Sequence, residues 1–258
     1  TAYEISTRDW SSDVCSSDLT IRVFPHNNLE KLESHLRWAS EKHPQAHVLV
    51  VAESVYSMDG DLAPLAEMVD LKDRFGAWLF LDEAHAVGVL GDEGRGLADR
   101  EGVASRIEVQ MGTLGKALGA HGAYIAGSEA LREFLLNSAR SFIFSTAPPA
   151  PVAAAAREAL RICRSAEGEA LRTALWKNLS CLREELDLSE TPSAIIPLVI
   201  GDEAQSMEVS AKLLEAGFLV PAIRYPTVAK GSARLRIAVT AKHSLENIQK
   251  LAAALAEY

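Results

Sequence analysis

The chain has 258 residues, of which 48% are hydrophobic and 24% are charged, a composition typical of a globular protein with a sizeable core. Its formal net charge of -9 argues against nucleic acid as a main partner, and no apolar run approaches the length of a membrane span. The cysteines, Cys15, Cys163 and Cys181, have neither metal-site nor disulfide spacing, so we expect a cytoplasmic protein that binds no metal, membrane or nucleic acid.

The N-terminal stretch differs from the rest of the chain. Residues 8–19, RDWSSDVCSSDL, are mostly polar and aperiodic, and they resemble the translation of a sequencing adapter. We therefore expect residues 1–19 to be non-native sequence and the natural protein to begin upstream of Thr1. A natural disordered tail is the alternative interpretation.

From residue 20 onward, helical and strand patterns alternate. Leucines three and four residues apart predict a helix that begins at Leu29, and Gly76 marks the end of a second helix. Short apolar runs predict four buried strands: HVLVVAES, AWLFLDEAH, IEVQMGT and HGAYIAG. A helix, SEALREFLLNSA, follows the last of them. This alternation predicts an α/β fold in which helices cover both faces of a mostly parallel sheet.

The pattern changes after residue 150. Alanine, leucine, arginine and glutamate dominate the next stretch and predict one long helix from Val152 to about Leu186. Three further strands are predicted with two helices, the first of which ends at Gly217; the strands are AIIPLVIGD, FLVPAIR and ARLRIAVTA. We therefore expect the remainder of a large domain at residues 20–165 and a smaller α+β domain with a partly antiparallel sheet at residues 166–258.

Polar side chains gather where the predicted parallel strands end. Because ligands of open parallel sheets bind beyond the carboxyl ends of the strands, these side chains are candidates for one site. The first three strands contribute two residues each: Glu53 and Ser57, Asp82 and His85, Thr113 and Lys116.

Lys116 lies in QMGTLGKALGAHGA, where its neighbours are small or apolar and none is acidic. DEAH at residues 82–85 spells the box of a helicase family, and GTLGKA is close to a phosphate-binding loop. That loop has the pattern G-x-x-x-x-G-K-S/T, whereas here Gln110 replaces the first glycine and Ala117 replaces the hydroxyl residue. The order of the two motifs is also reversed, so we reject the helicase interpretation.

Pyridoxal phosphate (PLP) chemistry fits these residues better. That cofactor requires an amine for a Schiff base, a carboxylate against its pyridine nitrogen, a donor near its ring hydroxyl and polar groups around its phosphate. Lys116, Asp82, His85 and Thr113 match those needs in type and number. Small neighbours allow close approach of the cofactor, and the absence of nearby acids in the sequence helps to keep the Lys116 amine neutral.

Several longer motifs resemble those of the α-oxoamine synthases, which are PLP-dependent transferases of fold type I. The motifs occur in the family's order: ESVYSMDGDLAPL, LDEAHAVGVLGDEGRG, GTLGKALGAHGAYIAG, SFIFSTAPPA and IRYPTVAKGSARLRIAVTAKH. The resemblance implies a homodimer that condenses an amino acid with an acyl thioester and releases CO2. ESVYSMDGD, TPSAIIPLVIGD and AIRYPTV look most like the biotin-pathway member, which uses L-alanine and pimeloyl-CoA or a pimeloyl carrier protein.

The resemblance also assigns roles to single residues. It makes Lys116 the lysine that is bonded to PLP, pairs Asp82 with the pyridinium nitrogen, and places His85 and Ser57 at the ring hydroxyl and Thr113 at the phosphate. Lys116, His85 and Asp82 would be the catalytic group. Ser57 could instead cap the turn that follows it. Glu53 would support the site without touching the cofactor.

Further residues would complete the site. Ser145 and Thr146 would approach the phosphate from the partner subunit. Arg236 would bind the substrate carboxylate, Arg224 would assist substrate recognition, and Thr227 would line the acyl channel. The alternative is that Arg236 only occupies an exposed face of its strand, which Arg234, two positions earlier, would share. We interpret Arg234 as structural.

Other interpretations remain open at this stage. A sibling enzyme would use another substrate pair, such as glycine with acetyl-CoA or serine with palmitoyl-CoA. An inactive subunit that only dimerises is the alternative from another class, and the joint presence of Lys116, Asp82 and His85 argues against it. The family's N-terminal portion, with its glycine-rich turn and ring-stacking residue, is absent, so we expect the 258 residues alone to bind PLP poorly and to aggregate or be inactive.

Overall fold

A computed structural model of the chain describes residues 19–188 and 192–256. Cys15 and nearly all of the adapter-like stretch therefore lie outside the described residues. The four predicted strands of the first part are present: β1 is Leu49–Glu53, β2 is Trp78–Asp82, β3 is Val109–Thr113 and β4 is Ala123–Gly127. They form one sheet in the order β1-β2-β3-β4, with the first three parallel and β4 antiparallel to β3. The predicted mostly parallel sheet is confirmed.

The three predicted helices of this part begin and end close to their predicted positions; they are α1 (Leu29–Lys42), α2 (Leu65–Arg74) and α4 (Glu129–Ser138). Two short helices, α3 (Leu97–Arg100) and α5 (Arg140–Ile143), were not predicted. The side chains of Asn28 and Ser128 cap α1 and α4 by accepting backbone N–H groups in the first turn. Gly76 follows α2 with a φ of +64°, which is the left-handed conformation expected at a helix end.

Alternation along the strands gives the four-stranded sheet two unlike faces. Val50, Ala52, Leu79 and Leu81 are buried together with leucines of α1 and α2 in the main core. On the opposite face, Leu49, Val51, Trp78 and Ile125 are exposed. In the described part of the chain, this second face thus presents a row of uncovered apolar side chains.

The predicted single helix from Val152 to Leu186 is wrong, because the structure contains two helices, α6 (Ala150–Cys163) and α7 (Ala166–Glu185). Ser165 between them is extended. A Cβ atom on Gly168 would lie 2.4 Å from the carbonyl oxygens of Ile162 and Cys163, so only glycine allows α7 to pack against the end of α6. Arg172 donates to the carbonyl of Cys163 at 2.8 Å and satisfies one of the free acceptors there. The division into two domains near residue 165 stays a prediction.

The second sheet is antiparallel throughout, with strands β5 (Ile195–Gly201), β6 (Ala222–Ile223) and β7 (Ala233–Ala238) in the order β5-β7-β6. FLVPAIR predicts too long a strand, since only its residues 222–223 pair; Pro221, just before them, has no N–H to donate. The two predicted helices, α8 (Glu203–Glu215) and α9 (Leu245–Leu255), are present; α8 packs against this sheet and α9 packs against α7. No helix among the described residues combines the length and apolarity needed to cross a bilayer.

Candidate active site

The register of the four-stranded sheet brings the predicted strand-end residues together. Glu53 on β1 pairs with Asp82 on β2, and Asp82 pairs with Met111 on β3. Thr113 lies two residues beyond Met111 and therefore on the same face of the sheet. All three polar side chains are partly buried. The predicted convergence at the carboxyl edge of the sheet is present in the structure.

Lys116 and His85 are in direct contact, with Lys116 Nζ 3.0 Å from His85 Nε2. Lys116 belongs to the loop between β3 and β4, which closes on itself because Leu114 N–H donates to the carbonyl of Gly122 and Ala120 N–H donates to the carbonyl of Leu114. His85 belongs to the turn that follows β2. Two separate loops thus place an amine and an imidazole side by side.

Small residues are needed where these two loops touch. Gly88 follows His85 in the turn and has a φ of +83°. A Cβ atom on Gly88 would lie 2.8 Å from the Cβ of Ala117, the neighbour of Lys116. A side chain at position 88 would therefore push the two loops apart and separate the imidazole from the amine.

The environment lowers the pKa of both groups. Partial burial, and after it the positive charges of Lys116 and Arg236, lower the pKa of His85 to about 4. His85 is therefore neutral at pH 7. Partial burial is also the main cause that lowers the pKa of Lys116, opposed by the carboxylates of Asp82 and Glu53. Lys116 thus has a larger neutral fraction than an ordinary surface lysine.

The two carboxylates have different partners. Asp82 Oδ1 accepts the N–H of Ala84 at 2.7 Å, which fixes its orientation at the end of β2. Glu53 Oε2 accepts the N–H of Ser57 at 3.3 Å. Burial raises the pKa of Glu53, and the nearby charge of Asp82 raises it further. Glu53 consequently holds a proton at higher pH than an exposed glutamate does.

Thr113 has a polar atom without a partner. Its Oγ1 is buried and makes no hydrogen bond to any residue that the structure describes. A buried hydroxyl without a partner costs free energy unless a ligand or water satisfies it. Thr113 shares its face of the sheet with Asp82, and its unsatisfied oxygen is the observation of this structure that most directly indicates a polar ligand.

Arg236 approaches the same site from the second sheet. Its Nε donates to the carbonyl of Ser57 at 2.6 Å, and this is the one hydrogen bond of its side chain within residues 19–188 and 192–256. The terminal guanidinium nitrogens therefore stay available as donors. Its charge lowers the pKa values of His85 and Lys116, so the three groups belong to one electrostatic neighbourhood.

Four of the predicted residues are exposed in the single chain. Ser145 and Thr146 are exposed in the segment after α5, and the Ser145 hydroxyl donates to the carbonyl of Ser141. Arg224 is exposed and contacts Met207 Sδ at 3.2 Å, while Thr227 N–H donates to the carbonyl of Arg224. Among the described residues, no hydrogen bond links these four to Lys116. Their roles stay predictions.

Glu83, the second residue of DEAH, is a structural residue that the sequence analysis missed. It is 2% exposed, and its carboxylate accepts the N–H groups of Leu97 and Ala98 at 2.9 and 2.8 Å. It therefore caps α3 and ties the turn that carries His85 to the rest of the domain core. Strand alternation was the available signal, because it turns Glu83 away from the face that Asp82 shares with Thr113.

The family model for aminotransferase class I and II matches residues 11–255. The chain is 45% identical over 238 residues to an 8-amino-7-oxononanoate synthase of Geobacter sulfurreducens, a match that covers 90% of this chain and 60% of that protein. The chain thus spans about three fifths of the length of this curated relative.

Solved structures show a similar fold. A Sphingomonas wittichii serine palmitoyltransferase superposes with a TM-score of 0.84 at 33% identity, covering 90% of this chain and 59% of that one. A second structure, described as SPT with a PLP internal aldimine, superposes with a TM-score of 0.83 at 31% identity and covers 90% of this chain and 60% of that one.

Proposed function

Since the chain belongs to the class I and II aminotransferase family, we propose that the gene product that contains it is a PLP-dependent enzyme that condenses L-alanine with a pimeloyl thioester. The reaction forms a bond between the alanine Cα and the acyl carbon, breaks the thioester C–S bond and releases CO2, which gives 8-amino-7-oxononanoate. Its fold is fold type I of the PLP-dependent transferases, as predicted. The observation that carries the proposal is the contact between Lys116 and His85 beside Asp82 and the unpaired hydroxyl of Thr113.

The residues at the sheet edge fit the cofactor. PLP supplies an aldehyde for covalent attachment and a ring that withdraws electrons from the substrate Cα. Lys116 Nζ would hold the aldehyde, Asp82 would pair with the ring nitrogen, and His85 and Ser57 would hydrogen-bond the ring hydroxyl. Thr113 Oγ1 would donate to the phosphate, which would satisfy the oxygen that has no partner among the described residues.

The lowered pKa of Lys116 suits two tasks of its amine. A neutral amine is the form that bonds to a carbonyl carbon, and it is also the form that accepts the proton of the alanine Cα. His85 supports both tasks, because its ring is neutral at pH 7 and adds no positive charge next to the amine. The negative charges of Asp82 and Glu53 act in the other direction and keep the amine basic enough to hold the proton.

Arg236 would recognise the amino-acid substrate. Its Nε is fixed by the carbonyl of Ser57, which leaves the terminal nitrogens to bind a carboxylate in the two-pronged geometry that guanidinium groups favour. Arg224 would assist this recognition, and Thr227 would line the channel for the acyl chain. Ser145 and Thr146 would reach the phosphate in the partner subunit of a homodimer, which agrees with their exposure in the single chain.

The choice of substrates rests on sequence similarity. The chain is 45% identical to the 8-amino-7-oxononanoate synthase and 33% identical to the serine palmitoyltransferase, and ESVYSMDGD and AIRYPTV favour the former. The runner-up is a sibling enzyme that uses serine with palmitoyl-CoA or glycine with acetyl-CoA.

The test assays the whole gene product with L-alanine, glycine and L-serine, each against pimeloyl-CoA, acetyl-CoA and palmitoyl-CoA, and measures CoA and CO2 release. We expect turnover with the L-alanine and pimeloyl-CoA pair, and loss of that turnover in Lys116→Ala. Lys177→Ala, which removes an exposed lysine on α7, is the matched control and keeps full activity. Preference for another pair would replace the proposed substrates, and an active Lys116→Ala variant would refute the catalytic assignment.

A further inference from the structure

The loop between β1 and α2, residues 54–64, links the two sheets at the candidate site. It begins after Glu53 and carries Ser57, whose N–H donates to Glu53 and whose carbonyl accepts from Arg236. We propose that Arg234 and Asp59 form a positioning pair that fixes this loop and, through it, the orientation in which Arg236 binds the substrate carboxylate. This inference rests on the proposed function of Arg236.

Arg234 is a buried cation whose guanidinium has several fixed partners. It is 4% exposed, and its Nη1 lies 2.6 Å from Asp59 Oδ1 and donates to the carbonyl of Met58 at 3.1 Å. Its Nε donates to the carbonyl of Ser232 at 3.1 Å. A buried guanidinium with these partners has one geometry available, and removal of Asp59 would leave its charge without a counter-charge.

Arg234 and Arg236 act on neighbouring parts of the loop. They are two residues apart on β7, so both side chains leave the same face of the strand. β7 is the central strand of its sheet and pairs with β5 and β6 on its two sides. Arg234 reaches Met58 and Asp59 while Arg236 reaches Ser57. The acceptor that orients Arg236 is therefore adjacent to the residues that Arg234 holds.

Other contacts seat the same loop on the second sheet. Ser193 Oγ donates to the carbonyl of Gly60 at 2.7 Å. Gly60 has a φ of +69°, and a Cβ atom there would lie 2.3 Å from the carbonyl oxygen of Ile195. The loop thus lies directly on β5 and β7, although its ends belong to the first sheet.

Two residues just before α1 hold the end of the loop that leads into α2. His26 Nε2 lies 2.7 Å from Asp61 Oδ2, and Asn27 Nδ2 donates to the same oxygen at 2.9 Å and to the carbonyl of Leu62 at 3.0 Å. His26, Asp59 and Asp61 are close enough to share a metal ion. The guanidinium of Arg234 already supplies the positive charge beside Asp59, so we assign this cluster to loop positioning and not to a metal.

The test compares Asp59→Asn and Arg234→Lys with the double variant in the whole gene product. The first readout is hydrogen exchange of residues 54–64 in cofactor-free protein, which we expect to be faster in each variant. The second is the L-alanine dissociation constant, titrated through the absorption change of bound PLP. Because misplaced binding groups lose affinity steeply, we expect the dissociation constant and the KM for L-alanine to rise on the order of tenfold.

The pattern of effects separates positioning from general instability. We expect the KM for the thioester and kcat to change less than about threefold, since these depend on other groups. PLP affinity is expected to fall less than L-alanine affinity, because Lys116, Asp82 and Thr113 lie outside the loop and still hold the cofactor. The double variant is expected to lose no more L-alanine affinity than either single variant, because the two residues act as one pair. Glu158→Gln, which removes an exposed ion pair with Arg161 on α6, is the matched control and leaves all readouts unchanged.

A lower melting temperature with an unchanged KM and dissociation constant for L-alanine would overturn the inference. If Asp59→Asn does not fold, Arg234→Lys carries the same comparison because it keeps the charge. If the wild-type protein shows no absorption change with any amino acid, the proposed function fails, and unchanged exchange of residues 54–64 in the variants would then overturn the positioning pair as well.

Discussion

Replacement of Thr113 by valine separates a ligand-binding role from a structural role, because the two predict opposite changes. Thr113 Oγ1 is buried without a hydrogen-bond partner among the described residues. Such a hydroxyl costs about 1–3 kcal/mol, and valine keeps nearly the same shape without it. We therefore expect the free energy of unfolding of cofactor-free Thr113→Val to equal that of the wild type or to exceed it by about 1 kcal/mol.

Cofactor affinity is expected to change in the opposite direction. A hydrogen bond to a charged group, such as the phosphate of PLP, contributes about 1.5–3 kcal/mol. At about 1.4 kcal/mol per factor of ten, its loss weakens PLP binding roughly 10- to 150-fold. A stable variant that binds its cofactor poorly is an outcome that a purely structural threonine does not produce.

The assay uses one preparation for both quantities. PLP is titrated into cofactor-free protein and followed by absorbance, and unfolding is followed in urea without cofactor. Thr173→Val, on the exposed face of α7, is the matched control and changes neither quantity. Wild-type PLP affinity in Thr113→Val would refute the assignment, as would a loss of stability with unchanged affinity.

Two further predictions concern the turn after β2. In cofactor-free protein, we expect NMR to show a pKa of about 4 for His85, and we expect Lys116→Met to raise that pKa because it removes a positive charge. The folded pKa lies below that of the unfolded chain, about 6.5, so the unfolded state binds more protons between these two values. The contribution of His85 to stability is therefore lost as the pH falls through this range, and a measured pKa near 6.5 in the folded protein would contradict the prediction. Glu83→Ala leaves the N–H groups of Leu97 and Ala98 unpaired and lowers the free energy of unfolding by about 2–4 kcal/mol in urea, whereas Glu101→Ala at an exposed position changes it little. Equal effects of the two glutamate substitutions would exclude the capping role.

The contact between Lys116 and His85 was accessible from sequence because it depends on a general property of parallel sheets. Strand periodicity located Asp82 and Thr113 at strand ends, and the shared edge of the sheet then implied proximity. The register of β1, β2 and β3 bears this out. The same logic could not place Ser145 or Arg224, since exposed loops carry no comparable geometric constraint.

The features that sequence analysis missed depend on contacts between distant residues. Helix propensity is continuous from α6 into α7, and the break follows from the packing of Gly168 against α6 and from Arg172. Alternation puts Arg234 and Arg236 on one face and does not distinguish them. The different depths of the two arginines arise from the loop that lies over β7, which local patterns do not encode.

The break between α6 and α7 at Ser165 also restricts where residues can be inserted into the chain. The inward row of α7 comprises Leu175, Leu179 and Leu182, and each added residue turns a helix by about 100°. One residue inserted between Gly168 and Leu175 would rotate this row by about 100° relative to Gly168, so either the leucines would turn toward solvent or Gly168 would lose its contact with α6. Insertions during evolution should therefore be rare within α7.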